Sequence, residues 1–179
     1  MTPDEMRSRP LWTCPQCRHR FVSRNLSHSC VRVPLAAHFQ GKDPALWQLF
    51  KQYRAFVRRC GPIKVYAQKT RIVFQVRARF TGAVVRSRWL ESALWLKRFA
   101  DDPHFTRIEQ YTPRDYVHFF RLTSSEQLDA GLAALVREAY DVGAQRAPAT
   151  AAADGPQEKL RRPRIWRRHS PGAPLVLQR

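Results

Sequence analysis

The 179 residues give room for one domain of ordinary size with short appendages, because domains cluster at about 100–150 residues. Hydrophobic residues make up 44%, which excludes a wholly disordered chain. The formal net charge of +18 favours polyanions as partners, although an Arg-rich composition can also reflect a GC-rich genome. No apolar run approaches the ~20 residues of a membrane span and no signal-peptide pattern is present, so we expect a cytoplasmic protein.

The composition along the chain predicts four segments. Residues 1–11 are expected to be a disordered leader, residues 12–34 a zinc-binding segment, residues 35–143 a folded domain and residues 144–179 a disordered basic tail. The zinc-binding segment is too short for a hydrophobic core and has Phe21 as its one central aromatic residue. A metal ion would therefore have to hold it together.

Four candidate metal ligands occur in two pairs, a Cys-x2-Cys pair and a His-x-Cys pair, which are separated by ten residues. They are Cys14, Cys17, His28 and Cys30. Thiolates and imidazole suit tetrahedral zinc, and a Cys-Pro-x-Cys turn resembles a zinc knuckle. Since His28 and Cys30 are two residues apart, they would point the same way from an extended segment and would not share a helix face, unlike the second ligand pair of a DNA-reading finger. Four protein ligands leave no position for water, so the zinc is predicted to be structural. His19 is an alternative ligand.

Two helices are predicted in the folded domain. Asp43 can cap the first, Pro44 fits its first position, and its apolar residues recur at spacings of three and four until Gly61 ends it. The second follows the capping-box pattern of Thr123–Glu126 and stops at Gly143.

The residues between the two helices alternate between apolar and polar, which is typical of strands. Strands are predicted over Ile63–Ala67, Arg71–Phe80, Ala83–Arg88, Trp89–Lys97, Phe105–Tyr111 and Tyr116–Leu122, the last two as a hairpin. Thr81-Gly82 predicts a turn. Because the even positions of 71–80 are apolar and several odd ones are Arg, we expect one core face and one cationic face. The expected fold class is α+β, with two helices packed on one face of a mainly antiparallel sheet.

Several short segments resemble a known family. They are Cys14–Cys30, Ala36–Lys42, Gln68–Ile72, Arg88–Leu90 and Val117–Leu122. Together they are similar to bacterial proteins of the DUF5655 family over about residues 12–143. The resemblance implies a fold rather than an activity, since the family is a domain of unknown function that is sometimes labelled a predicted transport protein and sometimes found beside nuclease-like domains. It transfers no catalytic residues.

The leading functional hypothesis is non-specific contact with nucleic acid through the cationic sheet face and the basic tail. The sheet would contribute Arg71, Arg77, Arg79, Arg86 and Arg88, and the tail Arg161, Arg162, Arg164, Trp166, Arg167 and Arg168. A solvated tail without a binding role is an equally simple interpretation of the second group.

The alternative hypothesis is a transport- or sensor-associated domain that binds a small anion, with zinc purely structural. Its pocket would be lined by Gln68, Lys69, Thr70, Arg71 and His118, which offer donors to a carboxylate or phosphate. No catalytic residue is predicted, because the chain has no Ser-His-Asp ordering, no two-His metal motif on a helix and no convincing carboxylate pair. Cys60 is expected to be inert core, and the oligomeric state stays open.

Overall fold

The structure, a computed structural model, describes residues 8–24, 26 and 28–146. A two-stranded N-terminal sheet is formed by β1 (Trp12–Thr13) and β2 (Arg20–Phe21). A 3-10 helix over Leu35–Phe39 leads into the main domain of two helices and a six-stranded sheet. The predicted leader up to residue 7 and the tail beyond residue 146 lie outside the described residues.

The first helix, α1 (Pro44–Arg58), follows the predicted pattern. The Asp43 carboxylate caps it by accepting a hydrogen bond of 2.8 Å from the Ala45 backbone N–H. Gly61, with φ of 137°, turns the chain out of the helix in a conformation that side chains rarely adopt. One face of the helix is buried, and it consists of Leu46, Leu49, Phe50, Tyr53, Phe56 and Val57.

The second helix, α2 (Ala130–Gly143), begins later than the capping-box pattern predicted. The Gln127 side chain accepts hydrogen bonds from the backbone N–H groups of Thr123 and Ser124, which stabilises a separate 3-10 helix over Ser125–Gln127. Asp129 then caps α2 by accepting from the Leu132 N–H at 2.8 Å. The capping box of the structure lies one residue further along than predicted, with Ser124 and Gln127 in place of Thr123 and Glu126, and it marks the short helix that precedes α2.

The six strands of the main sheet are all antiparallel, in the spatial order β3-β4-β5-β6-β8-β7. Their bounds are β3 (Lys64–Ala67), β4 (Ile72–Gln75), β5 (Arg79–Val85), β6 (Leu90–Leu96), β7 (Phe105–Thr112) and β8 (Asp115–Leu122). The last two form the predicted hairpin. The architecture is therefore the expected α+β fold, with an antiparallel sheet and two helices.

The predicted single strand over residues 71–80 was wrong, because the chain reverses at residues 76–78. The Val76 N–H donates to the Ala78 carbonyl across this reversal, and β4 and β5 pair with each other. Gly82 does not form the predicted turn; it lies inside β5 opposite Val73. A Cβ atom there would clash with the Ile72 carbonyl oxygen, so this glycine serves a close approach of two strands. The cationic face expected along residues 71–80 is consequently not formed.

Both helices pack on one face of the sheet. The ring of Phe50 in α1 lies 6.0 Å from Phe74 in β4, and Tyr140 in α2 lies 5.5 Å from Phe80 in β5. Because side chains alternate along a strand and directly paired residues share a face, the register identifies the opposite side, here called the outer face. Among the described residues, neither helix combines the length and the hydropathy needed to cross a bilayer.

Candidate metal centre

The hairpin of β1 and β2 positions the first two candidate ligands. Trp12 pairs with Phe21, and between the two strands the Cys14 N–H donates to the His19 carbonyl at 2.9 Å. The Arg18 N–H donates back to the Cys14 carbonyl at 2.9 Å, and Arg18 has a positive φ of 61°. This tight turn directs the thiols of both Cys residues of the Cys-Pro-x-Cys sequence to the same side.

The structure brings the four predicted ligands together. The ligand atoms of Cys14, Cys17, His28 and Cys30 all lie within 4.8 Å of one another. The Sγ atoms of Cys14 and Cys30 are 3.7 Å apart, and Cys30 Sγ is 3.5 Å from His28 Nε2. Such a group could hold a metal ion. The alternative ligand His19 is not part of it, since its ring packs on another side chain.

The imidazole of His28 is oriented from both sides. Its Nδ1 lies 2.9 Å from the Leu26 carbonyl, a distance at which Nδ1–H donates and leaves Nε2 with a free lone pair toward the sulfurs. The Phe21 ring, which is buried, lies 4.3 Å from the imidazole ring between centroids. Together these contacts fix the tautomer and the ring plane that a metal ligand requires.

The thiols differ in acidity. Hydrogen bonds from the backbone of Cys17 and from His28 lower the pKa of Cys14 to about 6. Burial, together with the neighbouring Cys14 and Cys17 sulfurs, raises the pKa of Cys30 to about 11. The polypeptide therefore favours a thiolate at Cys14 and disfavours one at Cys30. The charge of a bound cation is what would allow all the thiols to ionise.

The metal-binding segment, residues 12–34, packs on the outer face of β3 and β4. The rings of His19 and Tyr66 lie 4.3 Å apart, and the Gln75 amide donates to the Arg20 carbonyl at 2.6 Å. The Arg79 guanidinium donates to the Tyr66 hydroxyl at 3.1 Å and lies 5.6 Å from the Phe21 ring centroid. Arg79 thus links the segment to the sheet.

Arg77, another predicted nucleic-acid contact, also joins distant parts of the chain. Its guanidinium donates to the Arg9 carbonyl at 2.6 Å and to the Gln145 side-chain oxygen at 2.9 Å. Arg86 forms an ion pair of 2.8 Å with Glu91 in the adjacent strand. These contacts give Arg77, Arg79 and Arg86 structural roles, and any contact with nucleic acid stays a prediction.

The remaining predicted nucleic-acid contacts are dispersed. Arg71 is exposed in the turn between β3 and β4, whereas Arg88 is exposed in the loop between β5 and β6. The tail residues Arg161, Arg162, Arg164, Trp166, Arg167 and Arg168 lie outside the described residues.

The alternative pocket is not assembled in the structure. Gln68, Lys69, Thr70 and Arg71 lie at the turn between β3 and β4, whereas His118 is fully buried in β8. Since β5 and β6 lie between β4 and β8, these groups are separated by three strand spacings, or roughly 14 Å. His118 Nε2 instead accepts a hydrogen bond of 3.0 Å from the Ala100 N–H, which fixes the chain leaving β6.

A cationic surface that the sequence reasoning missed lies beside the metal cluster. A cleft of about 440 Å³ separates the metal-binding segment from β3, and the residues that line it include Arg18, His19, Arg32, Lys64 and Tyr66. No Asp or Glu is among its lining residues. The charge distribution along the sequence could have indicated this surface, since residues 6–42 contain seven Lys and Arg and no Asp or Glu. We call this surface the cationic cleft.

Comparison with known proteins identifies the main domain but not its activity. The family model described as Domain of unknown function (DUF5655) matches residues 35–143, which include both helices and the six-stranded sheet. The metal-binding segment lies outside the matched residues. No curated protein and no solved structure matched the chain. Since the match covers more than half of the residues, the chain belongs to the DUF5655 family.

Proposed function

We propose that this chain is a nucleic-acid-binding protein in which a structural zinc ion holds a cationic segment against the DUF5655 domain. The observation that carries the proposal is the cationic cleft, in which basic side chains from the metal-binding segment and β3 converge and no described Asp or Glu is among the lining residues. Phosphate groups would supply the missing negative charge.

The geometry of the cluster supports zinc as its ion. With Zn–S bonds of about 2.3 Å and a Zn–N bond of about 2.05 Å, a tetrahedral site has S···S edges of about 3.8 Å and S···N edges of about 3.6 Å. Two of the six ligand–ligand separations are close to these edges, 3.7 Å between the Cys14 and Cys30 sulfurs and 3.5 Å from Cys30 Sγ to His28 Nε2, and all six are within 4.8 Å. A disulfide would need about 2.05 Å. Four protein ligands give the ion a structural role, as they leave no place for a reacting water.

Metal content tests the zinc assignment directly. Elemental analysis of protein purified without chelator should give one zinc per chain, and His28→Gln should lower that ratio. Cys60→Ser is the matched control, because Cys60 lies at the end of α1 and outside the ligand cluster. Absence of zinc from the native protein, or equal zinc in the native protein and His28→Gln, would remove this part of the proposal.

The charge balance supports phosphate contact at the cleft, because several basic side chains converge there. Arg18, Arg32 and Lys64 line the cleft, and none of the carboxylates in the described residues forms an ion pair with them. Two cations that follow the ends of β5 and β6 are instead paired with acids, Arg86 with Glu91 and Arg98 with Glu138. Contacts made only through cations do not read sequence, so binding should be non-specific.

Salt dependence measures how many phosphates the cleft neutralises. We would titrate a fluorescein-labelled 20-bp duplex with protein at several salt concentrations and follow fluorescence anisotropy. For the triple variant Arg18→Gln, Arg32→Gln, Lys64→Gln, the slope of log affinity against log salt should decrease in magnitude by up to about 2.7, because each phosphate contact contributes about 0.9.

A charge-matched variant controls for the loss of three positive charges. Lys51, Arg58 and Arg114 are exposed on α1 and on the turn between β7 and β8, away from the cleft. Replacing these three residues with Gln should leave the slope close to that of the native protein. Equal slopes for the two triple variants would refute the assignment of the cleft, and no binding of the native protein at low salt would refute nucleic-acid binding itself.

The size of the cleft favours a second candidate function, the binding of a small anion. Its volume of about 440 Å³ is within the usual range for small-molecule sites, and the rings of His19 and Tyr66 form part of its wall. A single small anion should show a shallower salt dependence than a polyanion. Calorimetric titration with inorganic phosphate and citrate, without added nucleic acid, distinguishes this candidate by saturable binding of one ligand per chain.

A further inference from the structure

We propose that the outer face of β6, β8 and β7 is a base-stacking surface, so that the protein prefers single-stranded over duplex nucleic acid. This inference rests on the proposed function and names the class of nucleic acid. Four aromatic side chains define the surface, here called the aromatic face: Trp89, Trp95, Tyr111 and Phe119.

The strand register places the rings on the side of the sheet away from the helices. Trp95 lies opposite Val117, and Ala93 lies opposite Phe119, in the alternate positions to the core residue Leu94. Tyr111 is 72% exposed, and its ring packs edge-on against Trp95 with centroids 5.2 Å apart. Trp95 and Phe119 are half-buried. The sheet thus holds Trp95, Tyr111 and Phe119 at the surface with part of each residue open to solvent, while Trp89 lies just before β6 and is partly buried.

Two arginines stack on these rings. The Arg107 guanidinium lies 4.0 Å from the centroid of Phe119, and that of Arg121 lies 4.9 Å from Trp89. Planar guanidinium groups and aromatic rings are both partners on which a splayed-out base can stack. The surface therefore offers alternating stacking partners rather than a plain hydrophobic patch.

The charge of the aromatic face differs from that of the cationic cleft. Arg107 pairs with Glu109 at 2.8 Å, whereas Arg121 forms no ion pair with the carboxylates of the described residues. Lys97 and Arg86 are likewise paired with acids. Since most cations here are neutralised, phosphate attraction is weak, and stacking would be the main contribution of this face.

The two surfaces can act on one bound strand. The metal-binding segment covers the outer face at β3 and β4, and the aromatic face begins two strands further on, at β6. From β3 to β8 there are four strand spacings, or roughly 19 Å, which an oligonucleotide can bridge. Bases of a duplex are already paired and stacked, so only a single strand can present them to the rings.

A comparison of the affinities for single strand and duplex tests the inference. Anisotropy titrations of a labelled 12-nucleotide single strand and the corresponding 12-bp duplex would compare the native protein with Trp95→Leu and Tyr111→Leu. Each replacement should lower single-strand affinity by about tenfold while leaving duplex affinity and its salt slope unchanged. Tyr111→Phe keeps the ring and should retain native affinity. Phe99→Leu is the control for loss of an exposed aromatic residue, since Phe99 packs on Tyr116 in the connection that follows β6.

The outcomes separate this inference from the proposed function. Equal affinity of the native protein for single strand and duplex, or parallel losses for both in the ring variants, would overturn the stacking surface and leave the cleft standing. If Trp95→Leu converts a native dimer to a monomer and leaves single-strand affinity unchanged, the face is instead a contact between copies of the chain, and the inference is overturned. Failure of any nucleic acid to bind at low salt would remove the proposed function itself.

Discussion

Replacing Cys14 with Ser should unfold the metal-binding segment and leave the DUF5655 domain folded. Among the described residues, the segment buries only Cys14, Cys17 and Phe21 in its own small core, whereas the main core contains 22 buried residues. Burial of one Phe stabilises by about 1.5–3 kcal/mol, while a structural zinc site contributes about 10–16 kcal/mol of apparent binding free energy. Without the ion, the ordering of the segment backbone is therefore not compensated.

The effect on the main domain can be worked out from its contacts with the N-terminal residues. Unfolding removes the hydrogen bonds from Gln75 to the Arg20 carbonyl and from Arg77 to the Arg9 carbonyl. At about 1 kcal/mol each, this costs about 2 kcal/mol. For a domain of this size, the midpoint of thermal unfolding, Tm, should fall by roughly 8 °C.

Hydrogen exchange followed by mass spectrometry, together with calorimetry, measures both effects. In Cys14→Ser, peptides from residues 12–34 should lose protection while those from α1, α2 and β6 keep it. Cys60→Ser should retain the native exchange pattern. Loss of protection throughout the chain, or a fall in Tm above about 20 °C, would show that the segment and the domain form one cooperative unit and would refute this reasoning.

Three further predictions concern the stability of the domain. Burial lowers the pKa of His104, but hydrogen bonds to Asp102 and Asp129 outweigh it and raise that pKa above its usual value of 6.5. The native protein should therefore have a higher free energy of unfolding than His104→Gln below about pH 6.5, and this difference should disappear as the pH rises through the raised pKa. A difference that does not depend on pH would contradict this. Tyr53→Phe removes a fully buried hydroxyl with two hydrogen-bond partners at 2.8 Å, and should lower the free energy of unfolding in urea by about 1–3 kcal/mol. An unchanged free energy of unfolding would mean that those partners are satisfied without the hydroxyl. Gly82→Ala should cost about 1–3 kcal/mol or more in the same assay, because the new methyl group meets the backbone of β4, and native stability would show that the strands can separate without cost.

The helices and the metal cluster were predictable because their signals are local. Two adjacent residues, Asp43 and Pro44, indicate where α1 begins, and the periodic apolar positions define its buried face. The four cluster residues lie within 17 residues of one another, and short-range turn geometry brings them together. In both cases the deciding interactions join residues that are close in sequence.

The sheet could be predicted only in outline. Apolar residues occupy every even position from Ile72 to Phe80, although the chain reverses direction at residues 76–78 with no Gly or Pro to mark the turn. Gly82 gave a false turn signal, because its role is to let β4 approach β5, which only the paired strands reveal. Sequence period alone does not distinguish one long strand from two that continue the same pattern.

The structural roles of the sheet arginines could not be predicted, because their partners are distant in sequence. Arg77 contacts Arg9 and Gln145, each 68 residues away. Arg79 contacts Phe21 through packing that exists only once the metal-binding segment lies on the sheet. The cationic cleft arises from the same packing, although the absence of acidic residues from 6–42 could have indicated which end of the chain would supply it.

The single bridge between Val33 and Ala67 gives the metal-binding segment a protective role at the margin of the main sheet. Strand β3 is a terminal strand of that sheet, and a terminal strand has backbone donors and acceptors that another polypeptide can use. The chain between Cys30 and the 3-10 helix passes this margin and occupies part of it. If the cluster holds a metal ion, its release would expose an attachment point for strands of neighbouring molecules, and self-association should accompany chelation.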